Sequence, residues 1–139
     1  SKGKSNALAK IGFTMASNGT KSIEESIEWI ETSLDNIGLT CKDIDILLTG
    51  FNGDKSTDLF YKAVSEEAFS QSAIARYKHL CGEHDTATAF GTWLAAVSIK
   101  NKSLPKHCII NDERRPVKNI LIYNQLNASH HSLILLQEI

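Results

Sequence analysis

Hydrophobic and polar positions change their period several times along the chain. After Leu8, the apolar residues Ile11, Phe13 and Met15 alternate with polar ones. This period of two predicts a strand with one more exposed face, followed by a turn at residues 18–19, Asn-Gly.

The clearest predicted element is an amphipathic helix. Ser22 followed three residues later by Glu25 is a capping-box signature, and Gly38 predicts the end of the helix. The apolar residues between them recur at helical spacing: Ile23, Ile27, Ile30, Leu34 and Ile37. The acidic residues are expected on the solvent side: Glu24, Glu28, Glu31 and Asp35.

The middle of the chain predicts two strands and a second helix. The short apolar run 44–48 is typical of a strand covered on both faces, and a glycine-rich loop, 49–54, follows it. Residues 73–77 predict another short strand. The helix between them is expected to bury these residues: Leu59, Phe60, Ala63, Val64 and Ala68.

Residues 87–99 predict a helix of a different kind. Its apolar residues cover nearly every direction around the axis, so it should be buried on most sides, with Phe90 and Trp93 packed in the core. In a small domain its outer side would need a second layer of protein, from a partner domain or subunit. Two last strands are predicted at 117–123 and 132–136.

This order of elements predicts an α/β fold. Strands alternating with helices favour a mostly parallel sheet with helices on both faces, the final strand being the antiparallel member. Open sheets of this kind place their sites at the carboxyl ends of the strands. Three loops are therefore candidate site loops: 49–58, 78–91 and 124–132.

Composition narrows the class of protein. The 139 residues are 42% apolar and 22% charged, with a net charge of -1, which predicts one domain and makes nucleic acid and membranes poor partners. We expect a cytoplasmic protein whose three cysteines are reduced. Residues 1–7, SKGKSNA, are interpreted as a linker or an expression remnant, with the domain at 8–139.

Three stretches resemble one family. Residues 78–82, KHLCG, have a lysine and a glycine in the register of a Lys-x-x-x-Gly-His motif that precedes a buried helix. Residues 49–58 look like a His-Gly-Thr loop followed by an acidic residue, and 121–136, LIYNQLNASHHSLILL, resemble a gate leading into a last strand. The family is the β-ketoacyl synthases of fatty acid and polyketide assembly. The resemblance runs from Leu8 and covers only the C-terminal half of such an enzyme.

The resemblance implies a thiolase-like half, a three-layer α/β/α structure with a five-stranded mixed sheet whose last strand is antiparallel. It implies acyl transfer with decarboxylative condensation on acyl carrier protein thioesters. It also implies partners: an N-terminal half that carries the nucleophilic cysteine, and a homodimer or heterodimer of synthase subunits. No cofactor is expected. Without that half, we expect residues 8–139 to be inactive by themselves.

The implied catalytic residues depart from the family pattern. Lys78 carries over directly, as electrostatic support of the cleft, whereas Thr49 stands where the family has a histidine. The resemblance implies two histidines that donate hydrogen bonds and stabilise the enolate formed on decarboxylation. Glu83 and His84 compete for the second histidine position, where a carboxylate would oppose this enolate. Losing one such hydrogen-bond donor typically lowers the rate about 100- to 1000-fold. The implied substrate-binding residues are in the gate: Asn124, Leu126 and Asn127.

The departures leave three functions open: a synthase with an altered histidine set, a non-catalytic partner of chain-length-factor type, and a stand-alone thiolase-like binding module. No metal site is predicted, because the histidines and cysteines lack paired ligand spacing: His79, Cys81, His84, His107 and Cys108. A Cys81–His84 nucleophilic pair has no identifiable orienting group. His130 and His131 are interpreted as ordinary strand residues on opposite faces.

Overall fold

The computed structural model describes residues 6–82, 87–111, 116–126 and 128–139. Its strands are β1 (Lys10–Asn18), β2 (Ile46–Thr49), β3 (Ala73–Arg76), β4 (Asn119–Leu126) and β5 (His130–Gln137). Its helices are α1 (Ile23–Asp35), α2 (Lys55–Ala68), α3 (Lys78–Cys81) and α4 (Ala87–Asn101), with 3₁₀ turns at Cys41–Asp43 and Lys106–Cys108.

The strands form one five-stranded sheet in the order β1-β5-β4-β2-β3. β2 pairs in parallel with β3 and β4, and β5 runs antiparallel to its neighbours β4 and β1. The prediction of a mixed sheet whose last strand is the antiparallel member is confirmed.

Helices cover both faces of the sheet, so the fold has three layers, α/β/α. On one face, α4 packs against β-strand residues such as Leu48, Ala75 and Ile122. On the other face, α1 and α2 enclose a second cluster that includes Leu47 and Leu121. Alternate residues of the central strands therefore supply the two cores, which is why β2 is buried throughout.

α1 forms as predicted. The Ser22 hydroxyl accepts the Glu25 backbone N–H at 3.1 Å, and the Glu25 carboxylate accepts the Ser22 N–H at 3.3 Å. Gly38 has a φ of 79°, which a residue with a Cβ rarely adopts, and the chain leaves the helix there. Ile37 lies beyond the last turn and is 42% exposed, so its predicted place in the apolar stripe is wrong.

β1 and α2 differ from the predictions in detail. The register of β1 against β5 shifts between Ile11 and Phe13, so the simple alternation is broken: Ile11 pairs with Leu136 and Phe13 with Leu135, on opposite faces. α2 begins at Lys55, earlier than its apolar residues indicate. Leu59, predicted in its buried face, is 61% exposed.

α4 is buried on one side only. Its buried residues are Ala87, Gly91, Leu94, Ala95, Ser98 and Ile99. Trp93 on the other side is 55% exposed, in contact with the Phe90 ring at a centroid distance of 5.7 Å. The expected core packing of Trp93 is therefore wrong within this chain, because one sheet covers only one face of a helix. No helix among the described residues combines the length and apolarity needed to cross a bilayer.

Candidate functional site

The fold brings most of the predicted site residues to the carboxyl end of the parallel strands. β2 ends at Thr49, and Lys78 follows β3. Asn124 and Leu126 lie in the last three residues of β4. Because these three strands are parallel, their carboxyl ends lie side by side. Three other predicted residues, Glu83, His84 and Asn127, lie outside the described residues.

Gly50 is the close-packed centre of this end of the sheet. A Cβ placed on Gly50 would lie 2.5 Å from both Asn124 Oδ1 and Tyr61 Oη. The same Cβ would lie 3.2 Å from Lys78 Nζ. Glycine is needed here because three polar side-chain ends converge on its backbone, and any larger residue would push them apart.

Asn124 links the strand ends to α4. Its Oδ1 accepts a hydrogen bond from the Tyr77 hydroxyl at 2.9 Å, and its Nδ2 lies 3.5 Å from Thr88 Oγ1 in the first turn of α4. The Tyr77 ring packs against Gly91, where an added Cβ would approach ring atoms to 3.0 Å. The amide is therefore held in one orientation, half-buried beside Lys78.

Tyr61 supports the same end of the sheet from the other helical layer. It is fully buried in α2, and its hydroxyl accepts the Gln125 N–H at 2.8 Å and lies 3.4 Å from the Gln125 carbonyl. The ring also contacts Phe51 and Tyr123. The hydrogen bond between Tyr61 and Gln125 fixes the backbone of β4 immediately after Asn124.

Thr49 is fully buried, and its hydroxyl donates to the Ala75 carbonyl at 2.8 Å. A hydroxyl has one proton, and in this structure that proton goes to the neighbouring strand. The catalytic assignment of Thr49 stays a prediction, and the geometry gives its hydroxyl a structural partner.

The loop after β2 is held by an acidic residue in the first turn of α2. The Asp58 carboxylate accepts the backbone N–H groups of Asn52 at 3.1 Å and Gly53 at 3.0 Å. Asp54 caps α2 by accepting the Thr57 N–H at 3.0 Å, and this hydrogen bond, together with one from the Ser56 hydroxyl, lowers the pKa of Asp54. Asp54 and Asp58 therefore fix the shape of the loop between β2 and α2.

Lys78 lines two cavities. One, of about 540 Å³, is lined by Lys78, Asn124, Leu126 and the two histidines of β5. The other, of about 240 Å³, lies between Lys78, the 51–53 loop and the residues around His79. Lys78 therefore stands on the wall between two openings, and Leu126, which is 60% exposed, stands at the rim of the larger one.

The two β5 histidines differ as predicted for neighbours on opposite faces. His130 is exposed and lies 2.9 Å from Asn18 Oδ1. His131 is buried, with Nε2 2.9 Å from the Ala128 carbonyl and Nδ1 2.9 Å from the Tyr123 hydroxyl. A carbonyl only accepts, so the hydrogen-bond network assigns the proton to Nε2, and the tyrosine donates to Nδ1. Burial lowers the pKa of His131 and raises that of Tyr123 to about 12.

A second group of reactive side chains lies next to this wall. The potential ligand atoms of His79, His107 and Cys108 all lie within 4.8 Å of one another. Burial, then the charges of Arg76 and His107, lower the pKa of His79, and burial raises that of the Cys108 thiol. Cys81 is elsewhere, with Sγ 3.9 Å from the Tyr77 carbonyl. The sequence analysis named these three residues among five possible metal ligands, and predicted no metal site because the spacing lacks a paired signature.

Comparison with known proteins identifies the fold. No family model matches the chain, and no curated protein does either. Solved structures do match, each over 95% of this chain. The ishigamide ketosynthase/chain length factor has 14% identity and a TM-score of 0.77, and the match spans 38% of that chain.

Two further structures agree. A ketosynthase in a type II polyketide synthase complex with its acyl-carrier protein has 14% identity, a TM-score of 0.74 and 39% of its chain covered. The ketosynthase from module 1 of the bacillaene synthase from Bacillus amyloliquefaciens FZB42 has 13% identity and a TM-score of 0.69, and the match spans 30% of that chain. The chain thus has a ketosynthase-like, thiolase-like half fold and spans less than half the length of these chains.

The sequence analysis missed Tyr61, Tyr77 and the role of Gly50. Both tyrosines lie in apolar patterns that indicate core packing, and their rings do pack in the two cores. A buried tyrosine usually finds a polar partner for its hydroxyl, so each tyrosine was a signal for a buried polar contact.

Proposed function

We propose that this chain is the C-terminal half of a ketosynthase-like protein that acts on acyl carrier protein thioesters. In this proposal, residues 8–139 form one wall of an acyl-binding cleft, and an N-terminal half supplies the nucleophilic cysteine. The reaction is acyl transfer with decarboxylative carbon–carbon condensation. The two halves belong to a subunit that forms a homodimer or heterodimer.

One observation carries the proposal: Lys78 Nζ, Asn124 Oδ1 and Tyr61 Oη converge on Gly50, at the carboxyl end of the parallel strands of a ketosynthase-like sheet. A fixed cation beside a polar, partly enclosed cavity stabilises negative charge that develops on a thioester carbonyl. Lys78 is assigned that electrostatic role. Asn124 and Leu126 are assigned to the substrate side of the cavity. Asn127, which lies outside the described residues, keeps its predicted assignment as a substrate-binding residue.

Thr49 supports a second candidate. The family implied by the resemblance has a histidine at this position, whereas the Thr49 hydroxyl is buried and donates to Ala75. A wall without that histidine donor suits a chain-length-factor-like partner, which keeps the fold and shapes the cleft of a catalytic subunit. The roles of Glu83 and His84 decide between the two candidates.

The test is an assay of the longer protein with acyl and malonyl carrier-protein thioesters. If the protein is a synthase, Lys78→Met should lower turnover by about 100-fold, because the cation beside the developing charge is lost. The matched control is Lys62→Met, on the exposed face of α2 and 3.9 Å from Glu66, and it should leave turnover unchanged.

Each other outcome has a definite meaning. Equal turnover in the Lys78→Met and wild-type proteins would contradict the role of Lys78. A longer protein without turnover, but required by an active synthase subunit, would establish the chain-length-factor-like candidate. Condensing activity of residues 1–139 alone would contradict the proposal that this chain is half of the enzyme.

A further inference from the structure

A group of two histidines and a cysteine lies on the outer side of β3, away from Asn124. Ligand atoms of His79, His107 and Cys108 lie within 4.8 Å of one another, and the two imidazole rings are edge to face with centroids 5.9 Å apart. We propose that these three residues bind a thiophilic divalent metal ion, with Zn²⁺ as the occupant.

Pairing along the edge of the sheet holds Cys108 in place. Ile109 forms an antiparallel bridge with Ala75, and the Ile110 N–H donates to the Ile74 carbonyl at 2.7 Å. Asn111 Oδ1 accepts the Ile74 N–H at 2.8 Å. The segment that carries Cys108 is therefore fixed along β3, and the thiol is fully buried at its inner side.

The histidines approach the thiol from two separate elements. His79 lies in α3, a single turn that begins directly after β3 and is closed by the Gly82 N–H donating to the Lys78 carbonyl at 2.7 Å. His107 lies in the 3₁₀ turn Lys106–Cys108, immediately before the cysteine. Both imidazoles are exposed, so they reach the solvent side of the buried sulfur.

The spacing suits a tetrahedral ion after a small adjustment. Bonds of about 2.0–2.3 Å to nitrogen and sulfur put ligand atoms roughly 3.4–3.8 Å apart in a tetrahedral site. The present limit of 4.8 Å therefore requires closure by about 1 Å. Rotation of the exposed imidazoles provides this movement, while Cys108 stays in the core.

The ligand set determines the kind of ion. Imidazole nitrogen and thiolate sulfur favour Zn²⁺ and similar ions, whereas Mg²⁺ and Ca²⁺ prefer oxygen ligands. Three protein ligands leave a fourth position for water. The charge of Arg76 acts on both His79 and Cys108, which opposes a cation, so we expect weaker binding than at a closed four-cysteine site.

The experiment measures binding to the chelator-treated protein. Zn²⁺ is titrated by calorimetry, and Co²⁺ is used as a spectroscopic probe because a bound thiolate gives it a charge-transfer absorption band. His79→Ala and His107→Ala should each weaken Zn²⁺ binding by more than about 10-fold, since even the loss of an outer partner of a ligand has an effect of that size. Zn²⁺ should also raise the Tm of the wild-type protein and not that of His107→Ala.

His130→Ala is the matched control, because His130 is also an exposed histidine and lies on a different element. It should bind Zn²⁺ as the wild type does. The proposal is overturned if all three variants bind equally, if the control weakens binding as much as the others, or if Co²⁺ gives no thiolate band. The two alanine variants replace exposed residues, so the test does not depend on the folding of a Cys108 variant.

Discussion

The two helical layers of this chain differ in the polarity of their outer surfaces. α1 turns a row of exposed acidic residues to solvent: Glu24, Glu28, Glu31 and Asp35. α4 presents exposed Ala89 and Trp93, with half-buried Phe90 between them. An amphipathic helix completes a domain, whereas a helix that is apolar all round is built to be covered. This difference supports the proposal that a further half of protein packs on α4.

The candidate site draws on both layers. Tyr61 reaches Gln125 from α2, and Thr88 reaches Asn124 from the first turn of α4. The layer of α1 and α2 therefore fixes the backbone of the site, while α4 contacts the side chain of Asn124. A protein half that packed on α4 would lie next to the cavity that contains Lys78 and Thr88.

The largest expected effect contrasts one residue from each layer. Leu34→Ala in α1 should lower the free energy of unfolding by about 2–5 kcal/mol, because Leu34 is fully buried and its loss leaves a cavity. Trp93→Ala in this chain should cost about 1 kcal/mol or less, because Trp93 is more than half exposed. Urea unfolding monitored by circular dichroism measures both. Equal losses would show that α4 is as covered as α1.

The next effect contrasts the two tyrosines of the site. Tyr61→Phe should cost about 1–3 kcal/mol, because the buried Gln125 N–H loses its acceptor. Tyr77→Phe should cost about 0.5–1.5 kcal/mol, because the half-buried Asn124 amide loses one donor and keeps its exposed side. The same unfolding measurement applies, and a larger loss for Tyr77→Phe would contradict the inference that Tyr61 is the stronger support of the site.

The smallest expected effect is a dependence of stability on pH. Burial lowers the pKa of His131 below its usual value of 6.5, so below that pH the unfolded chain binds a proton that the folded chain does not. This contribution is complete above about pH 6.5 and is lost as the pH falls through the folded pKa. His79 has a shift in the same direction.

The pH effect is measured by urea unfolding at about pH 7.5 and at about pH 5.5. His131→Gln should reduce the loss of stability between the two, while His130→Gln on the exposed face of β5 should retain it. An unchanged difference in His131→Gln would contradict the assignment of a buried neutral imidazole.

Local signals predicted much of the fold. The capping box at Ser22 and the apolar run that became β2 each specify an element by nearby residues alone. The register shift next to Gly12 was not predictable, because it depends on pairing with β5 at the far end of the chain. The exposure of Leu59 was missed because α2 has more apolar residues than its side of the sheet can cover.

The candidate site was predictable where a motif specified it. Lys78 and Asn124 came from the resemblance, and the parallel strands bring them together. Tyr61 could not be assigned, because its pairing with Gln125 joins residues far apart in sequence. The grouping of His79 with His107 has the same cause, since the antiparallel bridge at Ile109 brings the two segments together.

Self-association of residues 1–139 tests the central claim most directly, namely that α4 is built to be covered. Light scattering at high protein concentration should show association, and Trp93→Lys should shift the chain toward the monomer. The matched variant Leu59→Lys, which replaces an exposed leucine of α2, should leave association unchanged. A wild-type chain that stays a clean monomer at high concentration would contradict the account.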